Sequence, residues 1–243
     1  MKKYKTIVVS DLHLGTLDSK TKELVEFLDS NSCQTLIMAG DIVDGWALKR
    51  GGKWKNKHMK CIRHIMKLSE NNTNVIWIRG NHDDFLKDWL GFEIGNFKIV
   101  ENYELVSNDK KFLVLHGDIF DVFITKMRWL SMIGSRAYDL ALFINRVYNM
   151  YRKLRKKPYF SISKVMKDNV KKATMFVSNF ETHVINLAKT NKYDGIICGH
   201  IHSPKIENID GLMYFNSGDW VENMSALVEH HNGKWELIIY KPT

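Results

Sequence analysis

Five short motifs built from Asp, His and Asn, each set just after a short apolar run, constrain this chain more than any other feature. In chain order they are Asp11-Leu12-His13, Gly40-Asp41-Ile42-Val43-Asp44, Gly80-Asn81-His82-Asp83, His116-Gly117-Asp118 and Gly199-His200-Ile201-His202. In open α/β sheets, functional groups gather at the C-terminal ends of parallel strands, because the loops there leave from one edge. Carboxylate, imidazole and amide oxygen together suit a first-row divalent ion. An aspartate can also bridge two such ions about 3.5–4 Å apart. Alone, each motif reads as a turn, a helix cap or a satisfied histidine. Five of them, all at strand ends, point to a metal site.

The runs between the motifs give the expected fold. Tyr4 to Ser10, Thr35 to Ala39 and Asn74 to Ile78 are β-branched and apolar, as buried strands are. Lys20 to Ser30, with Asp18 or Ser19 as N-cap, and Asn56 to Glu70 carry helical periodicity. This βαβαβ rhythm predicts parallel strands with helices outside. Phe97 to Val106 and Lys111 to His116 are expected strands about the turn Ser107 to Lys110. Lys205 to Ile209, Leu212 to Asn216, Ala226 to His231 and Trp235 to Tyr240 are further strands, with Asp210-Gly211 and Asn232-Gly233 as hairpin turns. An antiparallel second sheet is the expectation. The glycines Gly40, Gly80, Gly117 and Gly199 are expected to let the chain turn sharply beside each ligand.

Residues 121–190 break this rhythm. From Lys126 to Leu154 apolar residues recur at helical spacing, and a second helix is expected from Ser163 to Lys189. The chain therefore reads as a single domain over 1–243 with a helical insertion at 121–190. The chain's net charge is +9, and the insertion accounts for all of it, with fourteen cations against four acids between Asp121 and Lys189, so that the rest is close to neutral. Such a segment suits an anionic partner, each cation near an anionic lipid surface contributing about 1 kcal/mol. Three cysteines, Cys33, Cys61 and Cys198, show no pairing pattern, and no apolar run approaches a membrane span. A cytoplasmic protein is expected, with peripheral contact at the inner membrane face open to it.

The ordered motif set resembles the calcineurin-like metallophosphoesterase superfamily, and the resemblance runs from Asp11 to about Trp220. It implies a four-layer α/β/β/α sandwich, here with the insertion as a lid. It also implies two divalent ions, Mn²⁺ first, with Fe²⁺, Co²⁺ or Zn²⁺ as alternatives. One would sit on Asp11, His13, Asp41 and His202, the other on Asp41, Asn81, His116 and His200, with Asp41 bridging. His82 resembles the family's active-site histidine and Asp44 its carboxylate partner.

Within that superfamily the chain is similar to the bacterial UDP-2,3-diacylglucosamine pyrophosphatases of lipid A synthesis. The shared features are Asp11-Leu12-His13-Leu14, Trp46, His116-Gly117-Asp118, Gly199 to Pro204, the length and the helical insertion. The best-known members carry Arg where this chain has His82, and Glu where it has Asp44. The resemblance implies cleavage of a lipid-linked nucleotide to UMP and a lipid sugar phosphate. Arg152, Arg155 and Lys156 of the insertion are the expected substrate-binding residues, meeting a diphosphate or an anionic membrane. The alternative is a phosphodiesterase or nuclease for soluble nucleotides or nucleic acid, because a general acid such as His82 serves alkoxide leaving groups best.

Overall fold

The computed structural model describes residues 2–120 and 180–242. It divides the chain into two compact units, residues 1–118 with 184–243, and residues 119–183. Most of the proposed insertion, with Arg152, Arg155 and Lys156, lies outside the described residues.

The larger unit is built on two sheets. The first holds β1 (Lys2–Val9), β2 (Asn31–Ala39), β3 (Asn74–Ile78), β4 (Glu93–Ile94), β5 (Phe97–Val100), β11 (Ser225–Glu229) and β12 (Trp235–Ile239), in the order β12-β11-β1-β2-β3-β5-β4. The second holds β6 (Tyr103–Ser107), β7 (Lys110–Val114), β8 (Gly195–Cys198), β9 (Lys205–Ile209) and β10 (Leu212–Asn216), in the order β6-β7-β8-β10-β9. Neighbours β1, β2, β3 and β5 run parallel, as do β7, β8 and β10.

Strand periodicity explains the layers, since alternate side chains face opposite sides. Val8, Ile37, Ala39 and Ile76 of the first sheet meet Leu105, Phe112, Val114, Ile197 and Phe215 of the second in one core. The other face of the first sheet, including Ile7, Leu36, Met38 and Val75, packs in a second core with Leu24, Phe27 and Leu28 of α1 (Thr21–Ser30) and Cys61 and Ile65 of α3 (Asn56–Glu70). On the second sheet Leu113, Ile196 and Tyr214 alternate with the inner residues and are buried too. A helix at residues 180–190 leads into β8 and buries Val184, Ile185 and Ala188.

The expected sandwich is present, with five differences in detail. The run from Phe97 to Val106 is two strands, because the chain leaves the first sheet after Val100 and enters the second at Tyr103. The second sheet is mixed, not antiparallel. The two C-terminal hairpins belong to different sheets, β9–β10 to the second and β11–β12 to the first, where β11 pairs with β1. All five residues of β11 are buried, as a strand covered on both faces requires. Strand β2 starts at Asn31, directly after α1. The N-cap of α1 is Lys20, without a side-chain hydrogen bond, because Ser19 Oγ donates to Leu12 O (2.6 Å).

Candidate metal centre

Parallel strands end on one edge, and that edge makes the site. Val9 of β1 is paired with Met38 of β2, Ala39 of β2 with Ile78 of β3, and Val114 of β7 with Ile197 of β8. The five loops that follow therefore open together. Main-chain bonds tie them: Asp11 N donates to Gly40 O, His13 N to Asp41 O, Gly199 N to His116 O and Trp220 N to Asp11 O, all at 3.0–3.1 Å.

The backbone is forced at the ligand positions. Asp11, His13, Asp41, His200 and His202 all have positive φ, between 47° and 67°. Non-glycine residues hold such angles only where the surroundings over-determine them, and such strain gathers at functional sites. The glycines act differently from expectation at two positions. Gly80 and Gly199 have no positive φ; a Cβ at Gly80 would lie 2.3 Å from Asp41 Oδ1, and one at Gly199 would lie 2.4 Å from Asp11 Oδ2. They make room for carboxylates.

All seven expected ligands converge. Asp11, His13 and His202 form one set of metal-capable atoms mutually within 4.8 Å, and Asp41, His116 and His200 form another. The Asp41 carboxylate lies between, its Oδ2 3.3 Å from His116 Nε2 and 3.9 Å from His13 Nε2. Asn81 Oδ1 is 3.2 Å from His116 Nε2. Asp11 Oδ1 is 3.1 Å from His202 Nε2, while its Oδ2 accepts from His200 N at 2.9 Å. His82 joins His13 and Asp41 in a third such set, and its Nδ1 is 3.0 Å from Asp44 Oδ1.

The donor set fits a cation. His116 Nδ1–H donates to Ala39 O (3.0 Å), which fixes the tautomer and aims the Nε2 lone pair inward. That lone pair faces Asp41 Oδ2, Asn81 Oδ1 and His200 Nδ1, the last at 3.2 Å. Asn81 Nδ2 is buried and unpartnered among the described residues, its amide committed to presenting oxygen. Oxygen and nitrogen acceptors crowded on one point are what a divalent ion satisfies.

Without metal, protons take that role. Burial works against charge on His116, but Asp41 and Asp11 raise it to about 10. Burial likewise opposes, and Asp44 and Asp11 overcome, a raised pKa at His13; at His202 it is Asp11 that overcomes burial. Against burial, His116 brings Asp41 down to about 2, and His202 holds Asp11 well below the usual carboxylate range. A raised His116 stabilises the metal-free fold below its unfolded value of about 6.5, and this contribution is lost as pH rises through about 10. Metal binding must expel those protons. The rise in melting temperature on adding Mn²⁺ should therefore grow from about pH 7 to about pH 10, with proton release seen by titration calorimetry in two buffers. A flat or falling increment would contradict this assignment.

Several supporting residues carried no role in the motifs. Asp83 is fully buried; its Oδ2 accepts from Ile42 N (2.9 Å) and Trp77 Nε1 (3.3 Å), and its Oδ1 from Val43 N (2.7 Å). It thereby fastens the loop between Asp41 and Asp44. Asn216 Nδ2 donates to Gly199 O (2.7 Å) and Asn223 Nδ2 to His202 O (3.1 Å), bracing the Gly199–His202 loop, while Asp219 Oδ1 accepts from Val221 N and Glu222 N in the turn that carries Asn223. Short polar residues just after strands were the available signal. Trp46 stacks on His82, ring centroids 4.3 Å apart.

Residues 4–204 match the family model described as calcineurin-like phosphoesterase. The chain belongs to this family. It is a metal-dependent phosphoester hydrolase, and its family is dinuclear. Among curated relatives, the UDP-2,3-diacylglucosamine hydrolase of Psychromonas ingrahamii is 27% identical over 252 residues, covering 97% of each chain. The protein of the same name from Shewanella halifaxensis is 24% identical, covering 92% of this chain and 93% of the other. That of Hamiltonella defensa is 23% identical, covering 86% and 81%. Among solved structures, a hypothetical protein from Pyrococcus horikoshii gives a TM-score of 0.51 at 10% identity, covering 99% of this chain and 89% of that one. This likeness shows the fold alone. No helix among the described residues is long and apolar enough to cross a membrane.

Proposed function

We propose that the seven converging side chains hold two divalent ions, with Mn²⁺ the expected metal. Asp11, His13, Asp41 and His202 take one, and Asp41, Asn81, His116 and His200 the other. The observation that carries this reading is Asp41, whose carboxylate sits between the imidazoles of His13 and His116. When bound, such ions supply a nucleophile at neutral pH and neutralise charge building on the phosphoryl oxygens.

The chain's own groups do the rest. His82, buried beside Asp41 and stacked on Trp46, meets the leaving or phosphoryl oxygen through Nε2. Asp44 lies at its Nδ1 and holds that nitrogen protonated, which leaves Nε2 free to carry a proton to the leaving group.

The substrate we propose is UDP-2,3-diacylglucosamine or a similar lipid-linked nucleotide, cleaved at its diphosphate to UMP and a lipid sugar phosphate. The names of the three curated relatives and the motif resemblance support it. In this reading Arg152, Arg155 and Lys156 meet the diphosphate, and residues 121–190 cover the acyl chains. The paired His82 and Asp44 favour a second reading, hydrolysis of a simple phosphodiester, because an alkoxide needs protonation more than a phosphate does.

One assay set separates the two. The Mn²⁺-loaded protein should release UMP from UDP-2,3-diacylglucosamine far faster than it hydrolyses monoesters, cyclic nucleotides or single-stranded DNA; the reverse order rejects the lipid reading. In the same set, His82→Ala should cut ester hydrolysis by roughly 10²–10⁴-fold and diphosphate cleavage by less. Equal losses would remove the leaving-group role.

A further inference from the structure

Near-neutrality outside residues 121–190 conceals a local separation of charge. From Gly45 to Ser69 there are eight cations and no Asp or Glu. Their densest part is the end of α2 (Gly45–Lys49) with the loop from it to α3, which together carry Lys49, Arg50, Lys53 and Lys55, all exposed and none in an ion pair among the described residues. Apolar side chains stand among them. Trp54 is 38% exposed and Met59 45%, and Leu17 on the adjoining loop is 73% exposed.

The surface is built, not frayed. Gly52 N donates to Ala47 O (2.8 Å) and Arg50 Nε to Trp46 O (3.2 Å), closing the loop on α2. Trp54 packs edge-on against buried His58, centroids 5.4 Å apart. Lys57 Nζ donates to Leu17 O (3.2 Å) and Ser19 O (2.8 Å), tying the Leu17 loop to the start of α3. At its other end the surface reaches Trp46, half exposed and stacked on His82 at the metal centre. The nearby loop carries one acid, Asp18.

We propose that this surface, residues 46–60 with Leu17, docks the protein on an anionic lipid bilayer beside the mouth of the active site. Exposed cations gain from anionic headgroups, and tryptophan favours the headgroup level, where its ring is apolar and its N–H is wet. Leucine and methionine beside the cations favour the bilayer over nucleic acid, whose bases are bound by stacking on aromatic rings. The assignment stands apart from the substrate proposed above, since it concerns where the protein rests and not what it cleaves.

Sedimentation of the full chain with phosphatidylglycerol-containing vesicles, against pure phosphatidylcholine vesicles, tests it. The wild type should pellet with the first and not the second, and salt should release it. Because each surface charge is worth roughly 5-fold in partition, Lys49→Glu/Arg50→Glu/Lys53→Glu should weaken binding by about 100-fold or more. Trp54→Ala should weaken it while the charge is unchanged. Both variants should hydrolyse a soluble chromogenic ester at the wild-type rate, which shows the fold and metal centre intact. Vesicle binding unchanged in both variants overturns the proposal. So does a wild type that ignores anionic vesicles, or one that binds single-stranded DNA more tightly than it binds them.

Discussion

Asp41→Ala should abolish turnover and leave the protein unable to hold either metal ion. Its carboxylate is buried, lies 3.3 Å from His116 and 3.9 Å from both His13 and His82, and also accepts from His82 N at 2.8 Å. One side chain therefore serves both proposed sites and the loop that carries His82. Removing it strips the shared ligand and leaves an electron-rich cavity without its central charge. The expected loss is the full acceleration, on the order of 10⁶-fold or more. Metal content measured by mass spectrometry should fall well below two ions per chain, which separates this result from a purely chemical defect. A variant that keeps two ions and measurable activity would reject the bridging role.

Asp44→Ala should produce a different, double loss. Asp44 Oδ1 is 3.0 Å from His82 Nδ1, its Oδ2 is 3.2 Å from His13 Nδ1, and Ala47 N donates to Oδ1 at 2.6 Å. Burial opposes it, but the hydrogen bonds from His13 and His82 hold this carboxyl well below the usual range, so it stays an acceptor at neutral pH. It orients a proposed metal ligand and a proposed general acid at once. Loss of such an outer partner commonly costs about 10–100-fold in metal affinity. Loss of the oriented acid costs roughly 10²–10⁴-fold in ester turnover. The comparison with His82→Ala is decisive: that change should lower ester turnover with little effect on Mn²⁺ affinity. If Asp44→Ala also leaves Mn²⁺ affinity at the wild-type value, the His13 contact has no functional weight.

How much of this was legible beforehand follows from the range of each interaction. The seven proposed ligands and His82 could be read from the chain because each sits within four residues of the strand that delivers it. The motif and its structural cause are both local there. Asp83 stood in view inside Gly80-Asn81-His82-Asp83, yet its task, holding the amides of Ile42 and Val43, depends on chain forty residues away. Asp44 was paired with His82 by resemblance, but its contact with His13 appears only when the loops after β1 and β2 lie side by side.

The five motifs themselves, set after apolar runs, were fixed by sequence. Alternation of side chains and the chemistry of Asp, His and Asn sufficed to expect metal-capable groups at the strand ends, where the structure gathers them. Sheet membership was not fixed, because periodicity reports that a strand is buried and not which strand it pairs with. Only the folded chain sends β11 to β1, splits Phe97 to Val106 between two sheets, and mixes the second sheet. Charge followed the same division. A charge summed along the chain singled out residues 121–190 and passed over the acid-free run from Gly45 to Ser69, while only the tertiary structure left Trp54 and Met59 exposed there and set Trp46, at the start of that run, against His82. Electrostatic and apolar surfaces are made by neighbours in space, and a tally along the chain averages them away.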